Sequence, residues 1–278
     1  RYLNCLYRIE GRWLKDRLTS LLPGHDEPLR AHAWLTHLHD DVGPVDDLIG
    51  EPTYRDCYFD EIRKMSSGGA KDREPGDHRL AGYLITLHVR GTLPEELLIL
   101  FLESAPMSER QEAMRLIGQT IGSSAWPQSS VFRERAERYW LRRLSAAKAS
   151  ADRSHYAHEI GSIGLWFLWN VDADWLVEQL INALAAGYAP NDLYIVIRDL
   201  SKLAEDKIDK VIEVLEGIAT NQYVSRYALM VHPVEFRKML TAGKVSESEK
   251  TRQRVDRVVN VLASKGVDSF IDLLGSNK

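Results

Sequence analysis

The segment His32 to Asp41 (HAWLTHLHDD) gathers five side chains able to ligate a metal: His32, His37, His39, Asp40 and Asp41. Imidazole nitrogens with carboxylate oxygens suit a divalent cation. A second set is His155, His158 and Glu159 (HYAHE). Offsets of three and four residues place these on one helical face, where two imidazoles can grip one ion. A third set is basic. Arg133, Arg135, Arg138, Arg142 and Arg143 share the helix-like stretch Val131 to Leu144 with Tyr139 and Trp140. Arg138 and Arg142 stand one turn apart as a positive ridge, partly offset by Glu134 and Glu137. A fourth set, Lys250, Arg252, Arg254 and Arg257, falls in the first turns of its helix, where a cation opposes the dipole. The residues expected to touch a partner or a phosphate are Arg138, Arg142, Arg143, Arg252, Arg254 and Arg257. Each set also has a plainer reading: a polar helix end running into an Asp-rich loop, surface histidines, and solvated charged faces.

His39-Asp40 resembles the His-Asp dipeptide of the all-helical HD phosphohydrolases. That resemblance implies a metal-dependent hydrolase, with His39, Asp40, His155 and His158 as the candidate metal ligands. Leu38 to Thr53 (LHDDVGPVDDLIGEPT) looks like the first aspartate-rich motif of the trans-prenyl synthases, which holds magnesium against a diphosphate. Gly43-Pro44 breaks a helix immediately after Asp41. The downstream Asp172-Ala173-Asp174 reads as a helix cap rather than a second such motif. The chain has no GxxxxGK[ST], GxGxxG, GxSxG or HExxH. Cys5 and Cys57 form no zinc-type CxxC. The expectation is therefore no catalytic residue and no cofactor.

The elements that must carry these residues read as helices. Thr92-Leu93-Pro94-Glu95 and Ser108-Glu109-Arg110-Gln111 look like capping boxes joined by a link near Ala105 to Ser108, which predicts an antiparallel pair. Helices follow over Val131–Leu144 and Arg153–Trp169, then after caps at Asp174 and Asp192, then from about 207, and after the box Ser246-Glu247-Ser248-Glu249. Ile208, Val211, Ile212, Leu215, Ile218 and Ala219 share one apolar face. Tyr83 to Val89 (YLITLHV) is rich in β-branched residues, but Leu80, Leu84 and Leu87 before Gly91 predict a helix. At the start, Tyr2, Leu6, Ile9, Trp13 and Leu14 keep helical spacing. Gly118, Gly122, Gly161 and Gly164 are expected to let helices approach closely.

Helix starts at 93, 131 and 174 are 38 and 43 residues apart. Hairpins recurring near 40 residues resemble HEAT and armadillo repeats, and Pro94 to Gly122 (PEELLILFLESAPMSERQEAMRLIGQTIG) is similar to one such hairpin. The resemblance covers residues 92 to 220. It implies an all-α fold, a right-handed α-solenoid of stacked antiparallel hairpins with a concave binding ridge. A single all-α domain is expected over 1–278. Within it, residues 1–77 form a less regular stretch that ends in the connector Ser66 to Asp77, and residues 78–278 form the regular helical repeat.

The chain has 278 residues, 44% hydrophobic and 27% charged, a balance that supports a large core. Lys and Arg total 36 against 40 Asp and Glu, which excludes a globally basic nucleic-acid coat. Two cysteines do not make a disulfide framework. The most apolar run, Ile160 to Val171, is too short for a bilayer, which needs about 20 residues. No signal peptide opens the chain, so a cytoplasmic place and no membrane are expected. The chain starts at Arg1 within a helix in progress, as a piece of a larger multidomain protein would. The expected function is a non-catalytic recognition or scaffold region that holds a protein or peptide partner, or other domains of the parent chain. The alternatives are the HD-like hydrolase and a nucleic-acid-binding helical repeat using the arginine clusters.

Overall fold

The computed structural model describes residues 2–23, 26–40, 44–67, 78–123, 129–230 and 232–275. Among them the regular elements are thirteen α-helices and three short 3-10 segments, with no strand. The chain is all-α. It forms two compact units, Arg1–Ile117 with Gln128–Arg138, and Gly118–Pro127 with Tyr139–Lys278.

In the first unit α1 (Tyr2–Leu21) packs on α2 (Glu27–Asp40) and α3 (Pro52–Ser67). Next, α2 packs on α4 (His78–Arg90), and α3 on α5 (Glu95–Ser104). The Tyr83–Val89 stretch is thus helical, within α4. Buried Tyr54, Tyr58 and Trp34 fill the space between α2 and α3. The face expected for α1 is buried only in part. Ile9 and Trp13 are exposed, while Leu3, Leu14 and Leu18 are covered. Leu3, Leu14 and Leu18 share one helical face, and the helix is broken at Glu10 (φ −152°, ψ 76°).

α6 (Met107–Gly122) and α7 (Ser129–Ala149) each give residues to both units. The second unit continues with α8 (Ser154–Gly161), α9 (Ala173–Ala185), α10 (Leu193–Thr220), α11 (Arg226–Met230), α12 (Pro233–Lys244) and α13 (Glu249–Ser264). Its centre is α10, against which α9, α12 and α13 all pack. Val211, Ile212, Leu215, Ile218 and Ala219 are buried there, as their spacing predicts. Burying each large aliphatic side chain contributes about 1.5–3 kcal/mol. The two helices expected over 192–220 meet at a kink at Lys207 (φ −136°, ψ 38°) within α10.

The single helix expected over Arg153–Trp169 is interrupted. After α8 the chain tightens into a 3-10 segment, Ser162–Leu168. The close approach that Gly164 permits is the physical reason: the Asn191 carbonyl occupies the place a Cβ would take. Gly118 is likewise covered by the Trp166 indole, and Gly122 by the Trp169 backbone. Trp166 is fully buried, edge-on to Trp140 at 5.0 Å and stacked on Trp175 at 6.0 Å.

Several caps differ from expectation. Asp172, not Asp174, caps α9, its Oδ1 accepting from the Trp175 amide at 2.9 Å. Ser248 caps α13, while Ser246 accepts from the Ser248 amide and donates to Asp209. Thr92 donates to Asp46 and to the Leu87 carbonyl rather than capping α5. Asp192 holds a left-handed conformation (φ 52°) and makes no capping bond. Short polar side chains have several backbone groups within reach, and packing decides among them.

Candidate functional site

The expected metal sites do not assemble from the described residues. No group of three His, Cys, Asp or Glu side chains converges among them. The His39 and Asp40 side chains lie outside the described residues, as does Asp41. Their neighbour His37 is a core residue. Its Nε2 lies 2.8 Å from the Tyr54 hydroxyl, and its ring meets Trp34, Tyr54 and Tyr83 at 5.3–5.5 Å. His155 and His158 are both exposed on α8, but the Glu159 expected beside them turns inward.

The basic clusters divide. Arg138 and Arg142 are exposed on α7. Arg143 is not a surface contact, which corrects the expectation. It is buried, held by both oxygens of Glu159, with the Tyr156 ring 5.0 Å from its guanidinium. The α13 arginines are engaged in ion pairs, with Arg257 still exposed. Arg254, with 14% of its side chain exposed, bridges Glu213 at 2.8 Å and Glu216 at 3.1 Å on α10. Arg257 joins Glu216 at 2.6 Å. Arg252 pairs with Glu249 and donates to the carbonyls of Ser246 and Glu247. These arginines clamp α13 to α10 and to its own entry turn. Carboxylates 41 residues earlier in the chain supply the compensation that a local reading could not see.

A cleft of about 450 Å³ opens in the second unit. Its lining is Arg153, Ser154, Ala157 and His158 from the start of α8, the turn Gly187–Asn191 between α9 and α10, and Tyr223 after α10. The turn is built by the sequence Gly-Tyr-Ala-Pro-Asn. Gly187 takes φ +86°, the left-handed geometry that ends a helix. The Tyr188 amide then reaches back to the Ala183 carbonyl at 3.0 Å. The turn is anchored on both sides. The Tyr188 hydroxyl donates to the Ala147 carbonyl at 2.8 Å, and Asn191 bonds Gly161 and the His158 carbonyl. Asn221 Nδ2 donates to the Gly187 carbonyl at 3.2 Å. Tyr188 and Pro190 form the buried floor, and burial pushes the Tyr188 phenol up. The walls are exposed, with Tyr223 at 63%.

Arg153 brings a positive charge to the cleft, beside the Asp152 carboxylate and the C-terminal end of α9. Among its lining residues none is acidic. Asp152, the nearest carboxylate in sequence, is committed to the Ser154 amide and hydroxyl at 3.0 and 2.6 Å. The Arg153 guanidinium rests against Gly187, and the side chain makes no hydrogen bond or ion pair among the described residues, while its carbonyl accepts from the Tyr156 amide at 3.2 Å. Arg135 on α7 provides the contrast. It lies against Gly91, the positive-φ glycine after α4, and donates to the Val89 carbonyl at 2.9 Å.

Of the residues singled out in the sequence, only His158 belongs to this cleft. Arg153, Tyr188, Asn191 and Tyr223 have no motif. The Gly-Tyr-Ala-Pro-Asn turn between two apolar helices was the one available signal. No family model, no curated protein and no solved structure matches the chain.

Proposed function

We propose that the chain is a non-catalytic recognition module, a right-handed stack of helical hairpins of the HEAT or armadillo kind that holds a protein or peptide partner. The observation that carries this reading is the sequence distance over which elements bond. The Tyr83 hydroxyl reaches the His37 carbonyl 46 residues back, and Arg90 reaches Asp46 across 44. Trp140 and Gln179 bond across 39, Tyr188 and Ala147 across 41, Asn221 and Gly187 across 34, and Lys265 and Asn221 across 44. Separations near 40 are what one hairpin bonding to the next produces. The helix pairs α1·α3, α2·α4 and α3·α5 agree, because each helix meets the one two places along.

Repeating turns add support. Gly91, Gly187 and Gly266 all have positive φ, and each has an arginine guanidinium against it, from Arg135, Arg153 and Arg226. A cation there also faces the negative end of a helix dipole. The partner is a protein segment or another domain of a parent chain, and the cleft beside Arg153 is its docking point.

Metal content of the purified protein, measured beside thermal melts with and without EDTA, tests the claim that the module is non-catalytic. The expected result is no stoichiometric metal and an unchanged melt. A stoichiometric metal with a chelator-lowered melt would favour the hydrolase alternative through His39 and Asp40.

A further inference from the structure

Taking the recognition reading as given, we infer that the Arg153 cleft selects a single carboxylate carried on an apolar group, as at the C-terminal residue of a partner peptide. The charge argument comes first. Arg153 and His158 bring donors to a cleft with no acidic lining residue, and the adjacent Asp152 accepts from the Ser154 amide and hydroxyl. Arg153 offers five N–H donors in a planar fork, which suits the two oxygens of a carboxylate.

The shape argument agrees. The floor of Tyr188 and Pro190 and the wall of Tyr223 are rings, a surface for an apolar body. A volume of about 450 Å³ lies within the usual range for small-ligand sites and admits little more than a terminal residue or two. A dianionic phosphate is matched less well. A phosphate site on a helix start uses several free backbone amides, and here the Ser154 amide is taken by Asp152. The floor is also rigid. Asn191, Tyr188 and Asn221 tie the turn to three neighbouring segments, so binding needs little ordering.

The test uses the whole chain and three probes: N-acetyl-phenylalanine, its uncharged amide, and inorganic phosphate. Backbone amide NMR shifts report the place and strength of binding. The expected result is saturable shifts at Ser154, Tyr188, Asn191 and Tyr223 with the acid, and at least tenfold weaker binding of the amide and of phosphate. Arg153→Gln then weakens the acid tenfold or more and leaves the amide unchanged, while Arg153→Lys, which keeps the charge but loses the fork, restores only part of the affinity. Tyr223→Ala weakens both organic probes alike. Equal binding of acid and amide, binding elsewhere, stronger binding of phosphate, or no saturable shift would each overturn the inference. The acid–amide comparison needs no variant, so it stands even if Arg153→Gln fails to fold. The hairpin reading would survive such a failure, because hydrogen exchange tests it independently of this cleft.

Discussion

At the scale of residues, the paired and buried charges set the predictions. Arg143 and Glu159 are both almost wholly covered, and their mutual bonds offset the cost of removing two ions from water. Taking away one partner strands the other. Glu159→Ala is expected to lower unfolding free energy by about 3–5 kcal/mol, read from urea denaturation. A loss below about 1 kcal/mol would show that water reaches Arg143. His88 gives a pH dependence. Burial holds its imidazole below the ordinary value of 6.5, helped by the positive charges of Arg135 and Arg138 and opposed by its backbone bond to Arg135 and the negative charge of Glu95. The unfolded chain then binds more protons than the folded one once the pH drops below about 6.5. Stability falls as the pH goes from 7.5 towards 5, and His88→Gln flattens that slope. The lowered carboxylates, such as Asp199 bonded by Arg198 and Lys202, act in a separate window. Their contribution is full above about pH 4 and is lost below it. An unchanged slope in His88→Gln would place the titrating group elsewhere.

At the scale of elements, close backbone approach and interhelical ion pairs decide what a substitution does. Gly164→Ala would push a methyl group into the Asn191 carbonyl, which is fixed by its own bonds. The expected loss is about 1–3 kcal/mol or more. Gly50→Ala is the internal control, because nothing lies within 4 Å of the added atom. It is expected to change stability by less than about 0.5 kcal/mol. Equal melting points for the two variants would contradict the packing described around α8. Arg254→Ala removes the bridge to Glu213 and Glu216, so it should lower the melting point while leaving affinity for a polyanion such as heparin unchanged. The sequence read most helices correctly, since their apolar periodicity is local. It did not read the tightening after Gly161, because the cause is a carbonyl that arrives from residue 191. It also did not show that Arg254 is covered by carboxylates of α10, because they lie a whole hairpin away.

At the scale of the whole molecule, the account rests on hairpins that bond mainly to their neighbours in sequence. In the second unit α13 and α12 pack on α10, and α8 meets the 3-10 segment that follows it. Stability in such an arrangement is a sum of nearest-neighbour terms. A defect at one end is then felt most by the elements it touches. The all-α class was legible because the helical pattern repeats along the chain. The cleft was not, since its walls come from residues 153–158, 187–191 and 223, which form no recognisable motif. The most direct measurement is native-state hydrogen exchange on Val258→Ala, a fully buried position of α13. The account predicts that amide protection falls strongly in α13, α10 and α12 and little in α8. An equal loss of protection in α8 would show one all-or-none unit and contradict the stacked-hairpin account.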